Sequence, residues 1–371
     1  MFLTYNDIIL IGFSIGTLLY LFELAWIWGG LAGFKSIEVP DYTTPISLII
    51  AARDEEINLK QNLELWLGQN HNSFEVIVVN DCSFDNTQYF LTEFQRKFQH
   101  LQVVSLEETN IFKGGKKHAL SLAIKAAQFE RVLFTDADCK PASNDWLALM
   151  NAQFTDQKEI VLGMGDYEKK RGLLNYLIRM DALQIAIQYL GTAARGFPYM
   201  GVGRNLAYKK QLFFDVGGFK KHIDLKWGDD DLFINQIAQS NNTTICAIPE
   251  ARTISKPKTS FGDWFVQKRR HFSTSGRYRF GTKVLISLKS VRMLIYYSML
   301  ILGLFIPELV NSFIISASIV YIAHVLIFIV LKNKIGKVDE FFVFPLAEFA
   351  LFVINILIYL SIWIRKPKSW N

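Results

Sequence analysis

Cysteine is scarce in this 371-residue chain: Cys82, Cys139 and Cys246 are odd in number and far apart. That spacing supplies neither a disulfide framework nor a structural zinc site, and it fits a reducing compartment. The Asn-x-Thr triplets at Asn241 and Asn242 then carry no expectation of glycosylation, which needs a secreted loop. Lysine and arginine are missing from the first seven residues, so the apolar run that follows lacks the charged start of a secretory signal. No Walker sequence G-x-x-x-x-G-K-[ST] and no signature of a nucleic-acid-binding module occurs, so no nucleic acid is expected as a partner. Charge is modest as well, 20% against 51% hydrophobic residues, a balance too apolar for an ordinary soluble domain.

The apolar residues are segregated. Residues 8–32 ("IILIGFSIGTLLYLFELAWIWGGLA") contain one acid, Glu23, and can cross a hydrocarbon core of roughly 30 Å. Ending in bulky Trp26 and Trp28, the run resembles a retained membrane helix more than a cleaved leader. Three apolar blocks return near 293–309, 312–331 and 341–364, with Tyr359 and Trp363 suited to a membrane interface. The expected organisation is a transmembrane helix at 8–32, a globular domain at 40–285 on the cytoplasmic side, and transmembrane or interfacial helices at 290–365. The net charge of +6 owes much to a basic run that includes Lys256, Lys258, Lys268, Arg269, Arg270, Arg277, Arg279, Lys283, Lys289 and Arg292. Such a run suits an anionic membrane surface or a phosphorylated ligand. Three full spans after the domain put the tail "RKPKSWN" outside, against the positive-inside tendency, whereas Lys332, Lys334 and Lys337 fit an inside loop. Either one C-terminal block is re-entrant or interfacial, or the tendency fails here.

The globular part alternates strand and helix. Strands are expected at 46–52, 74–81, 101–107 and 131–138, and helices at 55–69, 87–98 and 116–127. This order implies parallel strands joined by right-handed crossovers, a doubly wound α/β fold. A further helix is expected from about 209 to 216, closed by Gly217-Gly218. Polar residues gather at the carboxyl ends of three strands: Arg53-Asp54-Glu55-Glu56, Asn80 to Thr87, and Asp136-Ala137-Asp138. One D-x-D alone is more often a solvated turn. Three acidic clusters on one sheet edge repel one another unless they meet hydrogen-bond donors or a cation.

Seven segments carry a resemblance in order across positions 47–271: "SLIIAARDEEINL", "VIVVNDCSFDNT", "GGKKHAL", "TDADC", "GVGRNLAYKKQLFFDVGGF", "GDDDLF" and "QKRRH". Together they resemble a membrane-bound family 2 glycosyltransferase with the GT-A fold, an α/β nucleotide-sugar-binding domain with a mostly parallel central sheet. The resemblance implies transfer of a sugar from a nucleotide diphosphate sugar, usually uridine-linked, to a lipid-linked or saccharide hydroxyl, with Mg²⁺ or Mn²⁺ as cofactor. It places Ala51 and Glu55 along the nucleoside, Asp81 on the base, Lys116 near the donor, Asp136 at the ribose and Asp138 on the metal. In "GDDDL" the general base aligns with Asp229, or with Asp230 in the neighbouring register, and the family's preceding Glu is missing. A single Asp acting as base implies inversion at the anomeric carbon. In "QKRRH", Gln267 and Arg270 match the family's Gln-x-x-Arg-Trp, and His271 replaces Trp. Arg270 is expected to meet the diphosphate, since guanidinium matches phosphate geometry. Two other functions fit the same residues: a processive polysaccharide synthase, which the lost Trp disfavours, and a catalytically silent membrane nucleotide-sugar sensor, which the acids near Asp229 disfavour.

Overall fold

A computed structural model describes residues 4–108, 114–336 and 343–364. Lys337, the first two residues of the 341–364 block and the tail at 365–371 lie outside the described residues.

The described residues form ten strands: β1 (Ile46–Ala52), β2 (Phe74–Asp81), β3 (Leu101–Leu106), β4 (Arg131–Asp136), β5 (Cys139–Pro141), β6 (Ile160–Leu162), β7 (Gly165–Tyr167), β8 (Leu206–Lys209), β9 (Thr243–Ile245) and β10 (Thr253–Ser255). Seven make the central sheet in the order β3-β2-β1-β4-β8-β6-β9. β1 runs parallel to β2 and β4, and β2 parallel to β3, so their carboxyl ends share one edge. Helices Glu56–Leu67, Thr87–Lys97 and Lys116–Ala126 make the crossovers. Both sheet faces are covered, which is why the strands are near-continuous apolar runs. Leu48, Ile50, Val76 and Val78 pack on one side, and Ile49, Ile77 and Val79 on the other.

The segment around 209 departs from expectation. Leu206–Lys209 is strand β8, antiparallel to β4 and β6 and wedged between them, and the helix shrinks to Gln211–Asp215. Local sequence favoured helix, but the open edge of β4 offers a full ladder of hydrogen bonds, and burial of Ala207 and Tyr208 completes the core. A second sheet, β5-β10-β7, lies beside the end of β4.

Among the described residues, four helices are long and apolar enough to cross a membrane: Tyr5–Gly33, Phe280–Gly303, Pro307–Ile335 and Phe344–Ile364. The first starts ahead of the apolar run because Thr4 and Asp7 cap each other's backbone N–H groups. It runs antiparallel to Phe280–Gly303: Gly12 lies on Met299, Gly16 on Tyr296, and Glu23 meets Arg292. Gly191, on helix Leu173–Ala194, lets the domain reach this bundle, since a Cβ there would stand 2.3 Å from the Ile27 carbonyl oxygen.

The basic run does not form one surface. Arg292 is buried among the apolar helices, paired with Glu23 at 2.8 Å and Glu348 at 3.3 Å. Lys268 is buried against Asp181. Alternating helical positions within a basic sequence face inward as readily as outward once an acid waits there.

Candidate active site

The carboxyl ends of β1, β2 and β4 open onto a cleft whose far wall is the loop before helix Asp231–Ile237. β1 brings Ala51 opposite both Val79 of β2 and Asp136 of β4 in register. Two strand ends turn sharply: Asp54 and Cys82 have φ of 55° and 56°, a left-handed conformation costly for residues with a Cβ. Reciprocal bonds hold them there. The Asp54 carboxylate accepts from Phe84 N–H at 2.7 Å, and Asp54 N–H donates to the Ser83 hydroxyl at 2.9 Å. Asp85 accepts from Glu56 N–H at 3.1 Å. Part of the strand-end acidity therefore stitches loops together.

Asp81 points to the next loop, where its two oxygens share Gly115 N–H at 2.9 Å. Gly114 and Gly115 adopt φ of 78° and 149°, and a Cβ on Gly114 would stand 2.7 Å from the Asp81 carboxylate. The glycines of "GGKKHAL" thus allow the backbone to close over Asp81. The two lysines that follow diverge. Lys117 is buried and donates to the carbonyls of His222 and Leu225, steadying the loop that leads to "GDDDL". Lys116 reaches into the cleft, 2.9 Å from Asp136 and 3.3 Å from Asp229.

Lys116, Asp136, Asp229 and Asp230, with Gly203 and Tyr208, line a niche of about 10 Å³, room for a water-sized group. Burial opposes the charge on Asp136, yet the Lys116 ammonium prevails and holds its carboxyl below the usual range. Asp230 caps the helix: its oxygens accept from Gly203 N–H at 2.8 Å and Asp231 N–H at 2.7 Å. Burial, then Asp229 and Asp231, push its carboxyl up to about 7. Asp231 turns away, bonded by the Thr274 and Tyr278 hydroxyls.

Asp138 and Glu55 form the other end of the cleft. Burial, then Asp136, raises the Asp138 carboxyl, and burial with Asp138 and Asp136 raises Glu55. Ligand atoms of Asp136, Asp138 and Cys139 lie within 4.8 Å of one another. The Cys139 thiol is held protonated by burial and by Asp138, and it lies 3.0 Å from the Ser255 hydroxyl. The donors that remain are two crowded carboxylates, a set that suits a hard divalent cation and would be relieved by one.

Helix Phe261–Thr274 carries Gln267, whose amide donates to the Tyr167 hydroxyl at 3.4 Å, and Arg270, which stacks 4.8 Å over Trp227 just before "GDDDL". His271 is exposed beside the cleft, and desolvation, then Arg270, Lys268 and Arg204, lowers its pKa. Sequence reasoning passed over Arg204. It donates to Ser255 at 2.9 Å and to the Gly165 carbonyl at 3.0 Å, lies 4.4 Å over the Tyr167 ring, and lowers both Asp136 and Asp138. Its signal was an arginine directly after the glycines of "GVGR".

The family model for glycosyl transferase family 2 matches residues 47–219, from the first strand through the short helix after β8. The chain carries a family 2 glycosyltransferase domain. The probable glycosyltransferase YdaM of Bacillus subtilis is 23% identical over 227 residues, 58% of this chain and 54% of that one. The beta-monoglucosyldiacylglycerol synthase of Trichormus variabilis is 26% identical over 231 residues, 55% of this chain and 46% of that one. The chain thus spans about half the length of these relatives. Among solved structures, the mannosyltransferase PcManGT of Pyrobaculum calidifontis, in complex with GDP-Man and Mn²⁺, superposes with a TM-score of 0.63. That likeness covers 96% of this chain and 99% of that one at 17% identity, and it shows the GT-A-like fold of the glycosyltransferase domain with its flanking apolar helices.

Proposed function

We propose that the whole chain is a membrane-bound glycosyltransferase that moves a sugar from a nucleotide diphosphate sugar, with uridine preferred, to a hydroxyl of a lipid-linked or saccharide acceptor. The observation that supports this best is Lys116, which bridges Asp136 of the D-x-D and Asp229 of "GDDDL" across one niche. It joins the end where a diphosphate would lie to the end where a hydroxyl would lose its proton.

In this reading the nucleoside rests along Ala51 and Glu55 with its base on Asp81, and the ribose meets Asp136. Lys116 offers its ammonium to the diphosphate, and Arg270 a guanidinium. Asp138, with Asp136 beside it, would hold Mg²⁺ or Mn²⁺. When bound, such an ion supplies Lewis-acid stabilisation of the leaving diphosphate. Asp229 takes the proton of the acceptor hydroxyl as that oxygen attacks the anomeric carbon and the carbon–diphosphate bond breaks, with inversion. Asp230, fixed by two backbone N–H groups, shares the pair's negative charge and is the rival base. The domain lies on the cytoplasmic side, and Gln267 orients Tyr167 at the rim.

The test incubates detergent-solubilised protein with a panel of nucleotide sugars and Mn²⁺, measures nucleoside diphosphate released, and identifies what receives the sugar. Asp229→Asn should lower transfer by about two to four orders of magnitude, with donor affinity by calorimetry little changed. No turnover with any donor refutes the enzyme reading. Loss in Asp230→Asn alone moves the base by one residue.

A further inference from the structure

We propose that Cys139, Ser255 and Arg204 are positioning residues, which aim one oxygen of Asp138 at a metal through a one-way chain of hydrogen bonds behind the D-x-D. The role rests on the reading of Asp138 as the metal's ligand. Four side chains make the chain. Arg204 donates to the Ser255 hydroxyl oxygen at 2.9 Å, that hydroxyl lies 3.0 Å from the Cys139 sulfur, and the sulfur lies 3.4 Å from Asp138 Oδ1.

Its two ends fix its direction. A guanidinium can only donate, and an ionised carboxylate can only accept. With an Arg204 N–H on its oxygen, the Ser255 hydroxyl turns its own hydrogen to the Cys139 sulfur, and the thiol hydrogen is left for Asp138. Each group spends its hydrogen in the same sense. A thiol by itself is a weak donor. Here the guanidinium charge polarises the bonds that follow it, and Ser255 and Cys139 are buried, so water does not compete for them.

The second sheet holds these parts in place. β10 sets Ser255 opposite Cys139 of β5 and opposite Tyr167 of β7. Arg204, two residues before β8, lies 4.4 Å over the Tyr167 ring and donates to the Gly165 carbonyl at 3.0 Å. Gly165 makes the room for it, since a Cβ there would stand 2.1 Å from Arg204 Nε. The small sheet therefore serves the D-x-D directly.

The consequence falls on the oxygens of the two acids. The Cys139 thiol takes Oδ1 of Asp138, and the Lys116 ammonium takes Oδ1 of Asp136 at 2.9 Å. One oxygen of each acid is held, and the other is left for a cation. The sulfur is near enough to the acids to count among possible ligand atoms, but its hydrogen is committed to Asp138. Outer groups that orient a ligand in this way are worth about 10–100-fold in metal affinity.

The test reads metal binding and needs no turnover. Full-length protein in detergent is titrated with Mn²⁺ in the presence of uridine diphosphate, and free Mn²⁺ is read by electron paramagnetic resonance. Cys139→Ala should raise the Mn²⁺ dissociation constant about tenfold. Cys139→Ser, which restores a donor, should recover most of that loss, whereas a packing role would make serine no better than alanine. Gly165→Ala displaces Arg204 while leaving Cys139 in place, and should raise the constant by a similar factor. An unchanged constant in Cys139→Ala or Gly165→Ala, or no recovery in Cys139→Ser, overturns the positioning role and leaves the metal reading standing. Wild type that binds no Mn²⁺ overturns both. With Cd²⁺ in place of Mn²⁺, no sulfur-to-cadmium absorption should arise from Cys139; an ultraviolet band that Cys139→Ser abolishes makes the sulfur a ligand and overturns the chain.

Discussion

At the scale of the residue, some acids latch loops together and others crowd one another, and Asp230 does both. Asp54, Asp85 and Asp231 have hydrogen-bond donors for their carboxylates. Asp138 and Asp230 are raised by burial and by neighbouring carboxylates, as groups at reactive sites are. If Asp230 must carry its negative charge for transfer, the rate should climb as pH rises through about 7. Asp230→Asn removes the group that titrates there, so this limb should disappear. The stability effect has the opposite sense. Asp230 keeps its proton up to about 7 when folded but to 3.8 when unfolded, so its contribution is complete below 3.8 and is lost as pH rises through about 7. Thermal midpoints of wild type should therefore fall relative to Asp230→Asn between pH 5 and pH 8. Asp138→Asn keeps size but removes an anionic ligand, and should raise the Mn²⁺ concentration needed for half-maximal turnover about tenfold or more; an unchanged Mn²⁺ titration refutes its place on the metal.

At the scale of the element, the sheet edge is built by loops that hold one another. The turns after β1 and β2 each contain a left-handed non-glycine residue, and Asp54 connects them through two backbone-directed bonds. Asp54→Ala removes one acceptor and should destabilise the domain by about 1 kcal/mol, seen as a lower thermal midpoint and a weaker donor affinity, because Glu55 follows directly. The β-α alternation was legible because apolar runs and helical spacing are local properties. β8 was not, since "LAYKKQLFF" suits helix locally and the edge of β4 that recruits it lies seventy residues upstream.

At the scale of the whole molecule, Arg292 joins three apolar helices by pairing with Glu23 and Glu348, and Tyr297 adds a bond to Glu348 at 2.9 Å. Arg292→Met leaves the buried Glu348 and the half-buried Glu23 without their cation. A broken buried pair costs about 3–5 kcal/mol, so the variant's thermal midpoint in detergent should drop well below wild type's. Arg292→Lys should recover part of that loss, since it restores the charge without the forked geometry.

The sequence by itself determined the segregation of apolar ends from a charged middle, the α/β order of that middle, and seven motifs whose residue types fit a nucleotide-sugar site. Each is written in composition, period or spacing, which neighbouring residues settle among themselves. Tertiary structure decided which acids crowd one another in the cleft and which latch loops together, because "RDEE" and "DDD" look uniform until each carboxylate finds or lacks a donor. It decided that Arg204 stands behind the D-x-D and that Arg292 belongs to the membrane bundle rather than to a basic surface. Hydropathy measures how much a segment gains by leaving water, and only its packing partners fix the direction in which it leaves.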